Sequence, residues 1–198
     1  MRARLFAGVV LACVVPVSAC AGQPPASPPT ITSTVTTTVE VPGADPTAWF
    51  EAYCGPMGVV ETARLAISGQ VPQGPAAVKE AAASWASTAA ASNRKMADDI
   101  EKLGPLGSDV QNPHGRLIKS LRLEANGFEE AAGRVRALAA DDKFPERFQQ
   151  VMASRGGNSD GADVMFKQIV DIPKYAETFR TNKVCTDWQN LAKQPGGK

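Results

Sequence analysis

From residue 47 onward, apolar positions along the chain recur in steps of three and four. Val78, Ala82, Trp85, Ala89, Ser92, Met96, Ile100 and Leu103 fall on one face of a helix at this spacing. Gly74-Pro75 precedes the run and Gly104-Pro105 follows it, a start and a stop signal. At ~1.5 Å per residue such a helix is ~40 Å long. A second stripe holds Leu117, Leu121, Ala125, Phe128, Ala132, Val135 and Ala139. Asn112-Pro113 suits its N-cap and first helical position, and Asp141-Asp142 follow it.

The remaining stripes are broken. Trp49, Tyr53, Met57, Val60 and Ile67 lie near one face of a helix over about 47–68, interrupted by Gly55-Pro56. A proline in a helix interior costs ~3 kcal/mol, so a kink or two shorter helices are expected there. Pro145 to Ser154 reads as a short helix carrying Phe148, Val151 and Met152, and 155–161 as a loop. Met165, Ile169, Ile172, Ala176 and Phe179 form the next stripe, with a kink expected at Pro173. Val184 to Leu191 is a short last segment with Trp188.

No strand–turn–strand pattern occurs after residue 47, and most Ala residues lie in the helical runs. The predicted fold is all-α: an up-and-down bundle of four to five helices over 47–193, with 194–198 as a disordered tail. That length is enough for one hydrophobic core.

The first 46 residues have a different character. Arg2 and Arg4 are followed by an apolar run from Leu5 to Val17. The run is shorter than the ~20 residues a membrane-spanning helix needs. It fits the apolar region of a secretory signal peptide over 1–19. Residues 20–46 read as a flexible tether, rich in Pro and Thr, with nothing to bury. A local extended segment over the β-branched stretch from Thr32 to Val41 is the alternative. Ser/Thr-Pro composition of this kind also suits O-glycosylation.

Val17-Ser18-Ala19-Cys20 resembles the lipobox of bacterial lipoproteins: a branched apolar residue, two small residues and the cysteine that is lipidated. Together with the Pro/Thr tether, the Ala-rich helical domain and two further cysteines, the chain resembles small lipoproteins of mycobacteria and related actinobacteria, in a domain family of unknown function. Only the lipobox is a sharp motif. The resemblance implies cleavage before Cys20, a diacylglyceryl thioether on Cys20 with an amide-linked acyl chain such as palmitate, and anchoring outside the cytoplasmic membrane. Two or three acyl chains hold firmly where one does not. An ordinary signal peptide cleaved after Ala19 is the rival reading.

Charge narrows the partners. The whole chain carries 21 Lys+Arg against 20 Asp+Glu, for a net of +1. That gives no electrostatic footprint for nucleic acid. Loss of Arg2 and Arg4 with the signal peptide would leave a slightly acidic chain without a polybasic patch, so the lipid itself would hold the membrane.

Of four cysteines, Cys13 lies in the signal peptide and Cys20 is assigned to the lipid. Cys54 and Cys185 remain. An exported chain meets an oxidising environment, so these two are predicted to pair. The rival is two free thiols or a thiol with a redox role, and the chain has neither a CxxC spacing nor a nearby histidine to lower a thiol pKa.

Chemistry is sparse. His114 is the single histidine and reads as a solvated residue at a helix start. Asp98-Asp99, Glu129-Glu130 and Asp141-Asp142 diverge by about 100° on a helix and read as solvated faces, with Arg94 and Lys95 as i,i+4 partners of the first pair. Asn158-Ser159-Asp160-Gly161 lacks the spaced ligands of a calcium loop. No GxSxG elbow or phosphate loop is present, and no metal site or cofactor is expected. Tyr53 and Tyr175 read as core residues with satisfied hydroxyls. Trp49, Trp85 and Trp188 are first of all core residues, though Trp85 and Phe128 are candidates to line an apolar ligand pocket between helices. The expected function is therefore non-catalytic: a domain binding an envelope protein or wall component, or alternatively carrying an apolar ligand or lipid near Trp85 and Phe128.

Overall fold

The computed structural model describes residues 42–155 and 161–194. The expected signal peptide, Cys20, the expected tether through residue 41, residues 156–160 of the expected loop and 195–198 of the expected tail lie outside the described residues. The protein is an all-α helical bundle, with seven helices and no strand among the described residues. They are α1 (Pro46–Gly69), α2 (Pro75–Leu103), α3 (Gln111–Ala137), α4 (Phe144–Ala153), α5 (Ala162–Val170), α6 (Pro173–Thr181) and α7 (Lys183–Ala192).

The helix ends follow local chemistry. Asp45 caps α1, its Oδ2 accepting from Ala48 N at 2.9 Å, with Pro46 in the first turn. Gly74 (φ +92°) and Gly104 (φ +80°) adopt backbone angles that favour glycine, and they bound α2 where the Gly-Pro pairs predicted. Asn182 caps α7, its Oδ1 accepting from Cys185 N at 3.2 Å.

Three expectations need correction. α1 runs unbroken through Pro56, so it is not two helices. Burial of Trp49, Phe50, Tyr53 and Cys54 before the proline, and of Val60 after it, outweighs one lost backbone bond. Pro173 is not a kink within one helix. It opens α6, where its missing N–H costs nothing, and this division raises the helix number above four or five. α3 starts at Gln111 with Val110 at its N-cap position, so Asn112 is not the cap.

α1 and α3 are long helices that each pack antiparallel against α2, joined to it by short connections. Lys79 near the start of α2 donates from Nζ to Leu138 O just beyond α3, at 2.8 Å. Ala44 N, ahead of α1, donates to Pro105 O just beyond α2, at 2.9 Å. The middle helix α2 is buried on a broad face against both partners through Ala82, Ala83, Ala86, Ala89, Ala90 and Ala97. These small side chains let three backbones approach closely.

The short helices close the two ends. α4 covers one end, where Phe144 and Val151 pack on Ala82, Ala131 and Val135. α5 and α6 cover the other, and α7 runs along α1, around a core of Trp49, Phe50, Tyr53, Met96, Ile100 and Leu117. Phe166 of α5 stacks on Tyr53 with ring centroids 3.8 Å apart and meets Phe50, Phe179 and Trp188 edge-on. Aromatic pairs of this kind add ~0.5–1.5 kcal/mol each beyond the area they bury. Tyr175 of α6 donates its hydroxyl to Asp109 Oδ1 at 3.0 Å, and Lys174 Nζ lies 3.1 Å from the same oxygen, fastening α6 to the α2–α3 connection.

Cys54 in α1 and Cys185 in α7 form a disulfide, with Sγ atoms 2.03 Å apart. The predicted pairing is therefore present, and it seats the last helix against the first. The acidic pairs are solvated as expected, with one change of partner. Lys95 reaches Asp99 within α2 at 2.5 Å, but Arg94 crosses to Glu129 of α3, and Asp98 meets Arg122 of α3.

Candidate functional site

Trp85 of α2 and Phe128 of α3 meet edge to face, with ring centroids 5.7 Å apart. Phe148 of α4 approaches the same indole at 6.1 Å. Both Trp85 and Phe128 line a cavity of about 190 Å³ where the end of α4 and the start of α5 meet the three long helices. The two residues singled out in the sequence thus share one pocket.

Its other walls were not foreseen. Tyr53 of α1 lines it and is 2 % exposed. Asn93 of α2, also buried, donates from Nδ2 to Ala89 O at 2.9 Å. Glu124 of α3 and Asp163 of α5 contribute carboxylates, and Arg155 contributes a guanidinium. Glu124 sits three residues after Leu121 and four before Phe128, on the buried stripe. That register was the one signal in the sequence for it. Arg155 and Asp163 belong to other elements, and nothing in their own neighbourhoods shows that they converge.

The charges interact. Burial pushes the Glu124 carboxyl above its ordinary range, and the negative charge of Asp163 adds to the rise, while Arg155 opposes it. Burial also pushes the Tyr53 hydroxyl strongly upward, followed by the charges of Asp163 and Glu124. Tyr53 is therefore a neutral phenol facing two carboxylates. The Arg155 guanidinium carbon stands 4.5 Å from the Phe128 ring centroid, a cation–π contact. Glu61, also on the wall, is held by Arg64 of its own helix at 2.5 Å. Among the described residues, Glu124 and Asp163 have no ion-pair partner within 4.0 Å.

The remaining candidates fall elsewhere. Trp49 is wholly buried in the large core and Trp188 packs at its edge. Tyr175 has its hydroxyl satisfied, as expected. His114 is not solvated: it is 7 % exposed and lies against Trp49, because α3 begins earlier than its Pro suggested and turns this position inward. Burial lowers its pKa, with Glu101 pulling weakly the other way. Among the described residues no group of three His, Cys, Asp or Glu is placed to hold a metal ion.

Two further hollows, of about 470 and 490 Å³, lie on the outer side of α1 around Gly55, Val59 and Thr88. They are larger but more open, and the charged groups of the first, Glu51, Lys95 and Asp99, stand at the surface. No family model, no curated protein and no solved structure matches this chain.

Proposed function

We propose that this chain is a lipid-anchored extracytoplasmic protein whose helical domain is a non-catalytic binding module, held at the outer face of the cytoplasmic membrane through Cys20. The observation that carries the reading is the Val17–Cys20 box behind its charged and apolar leader. The Cys54–Cys185 disulfide supports it, since such bonds persist in oxidising compartments. The test is metabolic labelling with a palmitate analogue, together with phase partitioning of wild type and Cys20→Ser. Labelled wild type in the membrane fraction and unlabelled Cys20→Ser in the medium are the expected result. Unchanged membrane association of Cys20→Ser overturns the anchor.

The binding-module part rests on the cavity between Trp85, Phe128, Glu124 and Asp163. Its size and lining argue against the apolar-carrier alternative. Pockets for drug-sized ligands run to ~300–1,000 Å³ and are mostly apolar. A space of about 190 Å³ with three carboxylates and a guanidinium on its walls suits a small polar ligand better than an acyl chain. An envelope protein or wall component bearing such a group is the partner this favours. Crosslinking from intact cells followed by partner recovery tests it, and a lipid as the sole recovered species would restore the alternative.

A further inference from the structure

Three things converge on the cavity between α2, α3 and α5. The first is a set of aromatic surfaces: Trp85, Phe128 and the stacked Tyr53. The second is a pair of carboxylates, Glu124 and Asp163, without ion-pair partners among the described residues. The third is a resident cation, the Arg155 guanidinium on the Phe128 face. A guanidinium already seated on one ring shows that this pocket accommodates positive charge. Glu61 is already held by Arg64, so one cation against the two remaining carboxylates leaves the pocket with one negative charge in excess. The buried Tyr53 phenol and the Asn93 amide add further polar atoms to the wall.

We infer that the cavity binds a small organic cation, an alkylammonium group of the choline type, with its charge against Glu124 and Asp163 and its apolar surface against Trp85. This rests on the binding-module reading and supplies its ligand class. Ammonium groups are attracted to the negative face of an aromatic ring, and the two carboxylates select charge over shape. The ligand is small because the space is small. A single trimethylammonium headgroup, or the amine end of a longer molecule, is the scale that about 190 Å³ admits. Arg155 competes for the same carboxylates, so it limits affinity and sets a preference for monocations.

The test is titration of the full chain, isotope-labelled and held in neutral detergent, with choline chloride, read at the Trp85 indole N–H and the Ala89 and Ala162 amides. In parallel, the neutral carbon isostere of choline, with tert-butyl in place of trimethylammonium, is titrated. Saturable shifts at these positions with choline, and binding of the isostere weaker by roughly tenfold or more, are expected. Glu124→Gln with Asp163→Asn abolishes the choline shifts, and Arg155→Gln strengthens them. Should the double variant fail to give a dispersed spectrum, Asp163→Asn alone, at an exposed position, and Arg155→Gln decide. Equal response to the isostere, no response of wild type to choline, or choline shifts that survive loss of both carboxylates would each overturn the inference. The anchor at Cys20 is untouched by any of these results, because the titration needs no membrane.

Discussion

The imidazole of His114 lies against the indole of Trp49, ring centroids 6.3 Å apart, and among the described residues neither Trp49 Nε1 nor His114 Nδ1 has a hydrogen-bond partner. A charged imidazolium in that place would face an apolar wall on one side, with only Glu101 to attract it. The ring is therefore held neutral, and its folded-state pKa lies below the ordinary 6.5. As pH falls below that value, the unfolded chain binds a proton that the folded chain does not, so stability falls with pH until the folded pKa is passed. Denaturant midpoints measured across this window should decline for wild type and decline less for His114→Gln. Parallel curves would show that the ring titrates alike in both states.

Reducing the Cys54–Cys185 bond should cost up to ~5 kcal/mol, the chain-entropy limit for so long a loop, with ~2–5 kcal/mol the range seen on removing native disulfides. Both sulfurs are fully buried, so reductant should act slowly on the folded chain and rapidly once denaturant opens it. Urea unfolding of Cys54→Ala/Cys185→Ala against wild type measures the cost. A midpoint unchanged by the double substitution would show that α7 is held by packing alone.

Phe166 joins α5 to the aromatic cluster of α1, α6 and α7. Its truncation to Ala should destabilise the bundle by ~3–5 kcal/mol, the usual cost of deleting a buried aromatic ring. Val71, 63 % exposed in the α1–α2 connection, serves as the control, and its change to Ala should stay within ~0.5 kcal/mol. Similar losses at the two sites would contradict the core described above.

At Gly43 an added Cβ would collide with the Leu106 carbonyl oxygen, so the segment ahead of α1 has to leave the α2–α3 connection if a side chain is present. Gly43→Ala should therefore break the Ala44 N to Pro105 O hydrogen bond without opening the bundle. Hydrogen exchange should speed up at Ala44 while the amides of α2 and α3 keep their protection. Slowed or unchanged exchange at Ala44 would argue against this close approach.

The long helices were legible because their signals are local: Gly74-Pro75, Gly104-Pro105 and stripes of period near 3.6. The disulfide was legible by elimination among four cysteines. What failed depends on distant residues. Pro56 looks like a breaker until the aromatic residues before it and Val60 after it are seen to pack together. Pro173 carries one signal for two outcomes, a kink or a helix start, and only the packing of α5 and α6 chooses. His114 looks solvated because Trp49, some 65 positions earlier, is what covers it. In the cavity, Trp85 and Phe128 declared themselves by size and spacing. Glu124 and Asp163 did not, because an acidic residue on a helix reads as surface unless its neighbours from other elements are known.

The disulfide has a mechanical meaning as well as a thermodynamic one. A pull applied to the chain at Pro42 and resisted at Gln194 enters α1, reaches Cys54, crosses the sulfur bridge and leaves through α7. The cysteines are 131 positions apart in sequence, and everything between them hangs off that line of force as an unloaded loop. The cavity between α2, α3 and α5 is built almost wholly from this loop, so tension along the chain ends would pass it by.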